Sequence, residues 1–274
     1  MASLATFNDI LPQARKEKRA VGAFNVANLE TVLSVFKAAE QMKSPVIIQV
    51  YQRLFKDERA GLIAAMVSRL AAESDIPVAL HLDHGESLEQ IRKAIAIGYT
   101  SVMLDGSRLS FAENIALTAE AAKIAHDAGV TLEAEIGHVP FGDGDIELST
   151  AAEAVEFVEK TGVDALAISI GTIHGFYKKA PVLDITRAAE IGKQVAIPLV
   201  LHGGTGVPDD QMKLAIGCGV AKVNIATELQ STFLKGVAAE IAVNGDTFKP
   251  VDLYFKPAEQ KVVDFVRAKI RSMK

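Results

Sequence analysis

"VALHLDHGES", Val78 to Ser87, runs from a short apolar stretch straight into His81, Asp83 and His84. A strand buried on both faces has little use for these groups, because a buried carboxylate or imidazole without a partner costs several kcal/mol. A strand that ends at a reactive site has every use for them. The stretch therefore predicts a core strand whose C-terminal end opens on chemistry. Whether other strands end the same way decides the fold.

Including "PVALHLDH" (77–84), eight β-branched runs recur. The others are "AVGAFNV" (20–26), "PVIIQVY" (45–51), "TSVMLDG" (100–106), "TLEAEIG" (131–137), "ALAISIG" (165–171), "PLVLHGG" (198–204) and "AKVNIAT" (221–227). Amphipathic helical patterns lie between them, such as "NLETVLSVFKAAEQMK" and "FAENIALTAEAAKIAHDAG", the latter closing on Gly129, which suits a helix cap. Continuous apolar strands alternating with helices imply a parallel sheet covered by helices. Eight such units predict a closed (β/α)8 TIM barrel of one domain over residues 1–274. The alternative, an open doubly wound sheet, is weakened because no G-x-G-x-x-G follows the first strand. The basic, amphipathic start contains Asp9 and Glu17, which transit peptides avoid, and reads as an extra N-terminal helix. Residues 244–274 read as a loop and an extra C-terminal helix from about Pro257.

The chain has 274 residues, 49% of them hydrophobic, enough apolar material for a core of this size. A formal charge of −5 argues against a nucleic-acid partner. No apolar run reaches the length of a membrane span. The single Cys218 cannot form an intramolecular disulfide, so the expected location is cytoplasmic.

Barrel enzymes collect reactive groups at the C-terminal ends of their strands. The strand ends here carry Asn25, then His81, Asp83 and His84, then Asp105, then Glu133 and Glu135, then His174, His202 and Asn224. Four of the six histidines lie at or just past three strand ends. Three imidazoles converging from different strands can supply a zinc site with a position open to water or substrate. The glycines, hydroxyls and helix start of "IGTIHG", "LHGGTGV" and "NIATEL" suit a phosphate, since glycine lets backbone N–H groups approach an anion.

In this order "AFNV", "HLDHG", "SVMLDGS", "LEAEIG", "IGTIHG", "PLVLHGGTG" and "KVNIATEL" resemble the zinc-dependent class II ketose-bisphosphate aldolases, which include fructose- and tagatose-1,6-bisphosphate aldolases. The resemblance implies a barrel assembled as a homodimer or homotetramer, acting on a small phosphosugar. It matches His84, His174 and His202 to the zinc ligands, and Asp105 and Glu135 to an outer metal position. Asp83 corresponds to the acid/base residue for the C4 hydroxyl. Asn25, Gly175, Gly203, Gly204, Thr205, Asn224, Ala226 and Thr227 fall among the substrate-binding positions, most of them around the C1 phosphate. Members also bind Na(+) or K(+) near that phosphate. Retro-aldol cleavage yields dihydroxyacetone phosphate and an aldehyde.

The match departs from the family in two places. Many members protonate the enediolate with a glutamate of a GGEEDG loop, whereas this chain has the shorter "GHVPFGDGDIE", in which Asp143 is the nearest counterpart and Asp145 the alternative. At the far end of the substrate, Tyr51 stands where fructose-bisphosphate aldolases have a serine, and Val251 where many have an arginine. Arg53 is new there and can bind a phosphate, carboxylate or sulfonate. The expected activity is cleavage of a ketose 1,6-bisphosphate. The alternatives are a ketose 1-phosphate with another C6 end, or a non-catalytic phosphosugar-binding subunit. A Schiff-base aldolase needs a lysine inside the barrel, and Lys222 is the only strand lysine on offer.

Overall fold

The computed structural model describes residues 4–142 and 144–274. Eight parallel strands close into a barrel in sequence order. They are β1 (Val21–Asn25), β2 (Val46–Tyr51), β3 (Val78–Gly85), β4 (Ser101–Leu104), β5 (Thr131–Ile136), β6 (Ala165–Ile168), β7 (Leu199–Leu201) and β8 (Val220–Ile225). The outer ring comprises α2 (Leu29–Gln41), α3 (Arg59–Ala71), α4 (Leu88–Ala96), α5 (Phe111–Asp127), α6 (Ala151–Thr161), α7 (Ile185–Gln194), α8 (Asp209–Gly217) and α9 (Thr227–Asn244). Before these comes α1 (Phe7–Lys16), and after them α10 (Val251–Ser272).

All eight expected strands are present, but β4, β6, β7 and β8 end two or three residues early. Gly171 and Gly203, at φ +104° and +67°, turn the chain out of the ladder after β6 and β7. The C-terminal helix begins at Val251, six residues before the expected start, with Pro257 inside it. Pro250 stands at its N-cap, and the missing N–H of Pro257 forfeits one helical bond without ending the helix. Several helices start on capping boxes that satisfy otherwise orphaned N–H groups, as at Ser110 and Glu113 of α5.

The main apolar core lies between the barrel wall and the helices, where Leu80, Leu82, Ile91 and Tyr99 are all but fully buried. A second core fills the bottom of the barrel, where Phe7, Ile10, Leu11 and Ala14 of α1 meet Val21, Ile47 and Val200. The N-terminal helix is thus a plug beneath the barrel. Above it lies a polar layer of Gln49, His81, Ser101, Glu133 and Lys222, all buried.

Candidate active site

Consecutive strand residues point to opposite faces, so Asp83 and His84 should not both reach the barrel mouth. They do because the β3–β4 register shifts between Leu82 and Gly85 and His84 takes φ +53°. A bulge of this kind re-aims a side chain beside a site. It also requires Gly85, where a Cβ would come within 2.5 Å of the Met103 carbonyl oxygen.

His84, His174 and His202 meet at the mouth, their ligand nitrogens within 4.8 Å of one another. Ring centroids are 5.0 Å apart for His84–His174 and 4.8 Å for His84–His202. Two rings are anchored through one nitrogen. His84 Nδ1 meets Asp105 Oδ2 at 2.6 Å, and His202 Nε2 meets Glu133 Oε1 at 3.0 Å. Phe141 stacks on His174 at 4.7 Å. His174 Nε2 and His202 Nδ1 are buried without a hydrogen-bond partner among the described residues. His202 Nδ1 also lies 2.8 Å from Glu135 Oε2, in a geometry that makes no hydrogen bond. Orphaned, converging imidazole nitrogens with carboxylates fixing the opposite edges suit a divalent cation such as zinc. A second group, His84, Asp105 and Glu135, shares His84 with the first, and its ligand atoms lie within 4.8 Å of one another.

Burial and the neighbouring His84 and His202 push His174 down to about 3, which keeps the ring neutral. Burial alone would depress His202, but the carboxylates of Glu133 and Glu135 beside its two nitrogens outweigh it and push it up to about 10. Burial would raise Asp83, yet His84, Lys222 and His202 together hold it below the usual carboxylate value, and it is ionised.

Asp83 is gripped from both sides. Asn25 Nδ2 donates to Oδ2 at 2.7 Å and Asn224 Nδ2 to Oδ1 at 3.3 Å. Gln49 Nε2 in turn donates to Asn25 Oδ1 at 2.5 Å. His81, on the same strand face as Asp83, meets Ser101 Oγ at 3.0 Å and packs against the Phe7 ring at 4.8 Å one layer deeper.

A cavity of about 550 Å³ opens beside these groups, lined by Asn25, Arg53, Asp83, Gly175, Gly203, Thr205, Asn224, Ala226 and Thr227 among others. Nearly all the expected substrate positions therefore converge. Gly204 sits behind this lining, its N–H donating to the Asn224 carbonyl at 3.0 Å. Asp143 lies outside the described residues, and the exposed Asp145 lines a separate surface groove with Ser107 and Arg108. Tyr177 was not legible as a site residue. Its hydroxyl accepts from Ile173 N at 3.0 Å and donates to the Gly203 carbonyl at 2.9 Å, tying the two ligand loops together. Tyr51, Phe141 and one face of α9 (Gln230, Ser231, Leu234 and Lys235) also line the cavity. Their spacing along α9 matches helical neighbours but carried no chemical signal in the sequence.

A closed parallel barrel with three imidazoles and a gripped carboxylate at its C-terminal mouth defines a barrel enzyme built around a metal-ligand set. The chain belongs to the class II fructose-bisphosphate aldolase family, whose model matches residues 5–274, and it is a lyase of the aldolase type. It is 41% identical to a protein of Bacillus subtilis named "Probable fructose-bisphosphate aldolase", covering 98% of this chain and 96% of that one. It is 40% identical to the sulfofructosephosphate aldolase of Alkalicoccus urumqiensis, over 96% of this chain and 93% of that protein. The crystal structure of the YdjI aldolase from Escherichia coli K12 superposes with a TM-score of 0.88 at 34% identity, covering 98% and 97% of the two chains. The fructose-bisphosphate aldolase of Campylobacter jejuni gives 0.86 at 25% identity, over 99% and 96%.

Proposed function

We propose that this aldolase reversibly cleaves a ketose 1,6-bisphosphate to dihydroxyacetone phosphate and an aldehyde, with zinc held by His84, His174 and His202. The observation that carries the reading is the convergence of the three rings on a common point beside an ionised carboxylate. When bound, zinc supplies a Lewis acid for the C2 and C3 oxygens. Asp83 takes the C4 hydroxyl proton as the C3–C4 bond breaks, leaving an enediolate that must gain a proton at C3 to become dihydroxyacetone phosphate; in the reverse direction Asp83 returns its proton to the new C4 hydroxyl. Asn25 and Asn224 hold that carboxylate in place. The C1 phosphate is received by Gly175, Gly203, Thr205, Ala226 and Thr227, the last being the first residue of α9, whose N-terminal dipole favours an anion.

At the C6 end, Arg53 favours a second anion. It is exposed on a 3-10 turn (Gln52–Lys56) after β2, over the Tyr51 ring at 5.3 Å, and makes no ion pair among the described residues. A guanidinium suits a sulfonate as well as a phosphate. The relative from Alkalicoccus urumqiensis, by its name, supports a 6-sulfo ketose 1-phosphate as the second reading. Among the described residues no helix is long and apolar enough to cross a membrane. Exposed apolar side chains on and after α9, including Ile241, Val243 and Phe248, support assembly as a homo-oligomer.

The test is metal content with turnover on a panel of ketose 1-phosphates, 1,6-bisphosphates and 6-sulfo 1-phosphates. Chelation should abolish cleavage and zinc restore it, and His202→Ala should lose both metal and activity. Full metal occupancy and turnover in His202→Ala would sink the assignment.

A further inference from the structure

Lys222 is a strand lysine inside the barrel that the proposed reaction leaves unused. It is fully buried on β8, two residues before Asn224. An ammonium has three protons to place. Here Nζ lies 2.8 Å from Glu133 Oε2, donates to Asn224 Oδ1 at 2.7 Å, and sits 5.5 Å from the centre of the Phe7 ring. With its nitrogen ion-paired to Glu133 and bonded to Asn224, Lys222 is not placed as a Schiff-base nucleophile.

The bond to Asn224 has a directional consequence. The amide oxygen is held by the ammonium, so the NH2 group must point the other way, toward Asp83 Oδ1. A flipped amide would set its NH2 against the ammonium and its carbonyl against the carboxylate, two repulsive contacts in a dry site. We propose that Lys222 is a positioning residue for the aldol step, fixing the Asn224 amide so that Asp83 is held ready to exchange a proton with the C4 hydroxyl. This rests on the role given to Asp83 above.

The test is a double-mutant cycle between Lys222→Met and Asn224→Ala, with kcat, KM and metal content measured for each protein. Lys222→Met alone strands the Glu133 carboxylate. The charge-balanced pair Lys222→Met/Glu133→Gln, compared with Glu133→Gln, therefore serves as the second version of the same measurement. With Asn224 present, losing Lys222 should lower kcat by about tenfold to a hundredfold, the range of a lost charge-assisted bond, with KM and metal content nearly unchanged. With Asn224 already alanine, the same substitution should change kcat by less than about twofold. An equal loss in both backgrounds, or a rise in KM with kcat intact, overturns the proposal and leaves Lys222 a structural charge. Asp83→Ala separates the two levels. If it keeps turnover, the role of Asp83 falls and this inference with it; if it is inactive while the cycle is additive, only this inference falls.

Discussion

Alanine at Gly203 should damage the protein more than alanine at Gly206, although the two glycines share one loop and nearly one backbone conformation. Their φ angles are +67° and +71°. Either substitution forces an L side chain into the left-handed region, at about 1–2 kcal/mol. At Gly206 little else follows, because the nearest atom to the new Cβ is Tyr177 Cδ2 at 3.5 Å, an ordinary contact. At Gly203 the Cβ would lie 2.3 Å from the Ile173 carbonyl oxygen and 2.9 Å from its carbon. Those are backbone atoms with no rotamer to change, so the chain must move, adding about 1–3 kcal/mol of overpacking. A kcal/mol lowers Tm by roughly 2–4 °C in a chain of this size, so Gly203→Ala should melt at least about 2 °C below Gly206→Ala. The displaced segment adjoins His174, and Gly203 adjoins His202. Metal affinity, by titration of the apo-protein, should therefore fall by about 10–100-fold in Gly203→Ala, as when the support of a ligand is lost. Gly206→Ala should bind metal like the wild type. Equal melting and equal metal affinity in the two variants would refute the argument that the ligand loops are held at contact distance.

The other expectations follow from the same site. Asp83→Ala should keep its metal and bind substrate but lose about two to four orders of magnitude in kcat, measured by coupled detection of dihydroxyacetone phosphate; loss of binding with unchanged kcat would mean a positioning role instead. Arg53→Ala should cost about tenfold to a hundredfold in kcat/KM for a substrate with an anionic C6 group and leave a neutral-ended ketose 1-phosphate nearly unaffected, so an equal effect on both would assign the C6 group to other residues. Tyr177→Phe removes the hydroxyl between Ile173 and Gly203 and strands two backbone groups, for a loss of about 1–3 kcal/mol in denaturant unfolding together with weaker metal binding; an unchanged midpoint would show that the two loops are held by other means.

Much of this site was legible because its chemistry sits at strand ends. His84, His174 and His202 lie more than a hundred positions apart at the extremes, yet each follows an apolar run, and barrel closure brings such positions to one rim. The glycines and hydroxyls after β6, β7 and β8 were legible for the same reason. The partners of His81 were not legible, because strand alternation places it on the face of Asp83 without giving its depth, and depth decides that it meets Ser101 and Phe7. The start of α10 was misread because Pro257 looked like a first-turn residue, whereas Pro250 stands at the N-cap.

The sequence by itself determined the eight strand–helix units, the family, the three histidines and the carboxylate beside one of them. Each is a local pattern, a period of hydrophobicity or a residue type following it, and local patterns survive in one dimension. The tertiary structure alone decided which partner holds each polar atom. Asp83 is gripped through Asn25 and Gln49 from one side, and through Asn224 and Lys222 from the other. These groups come from β1, β2, β3 and β8, neighbours only because the barrel closes β8 onto β1. Hydrogen bonds act over about 3 Å and depend on direction, so no spacing along the chain encodes them, and only the closed sheet brings donor and acceptor to that distance.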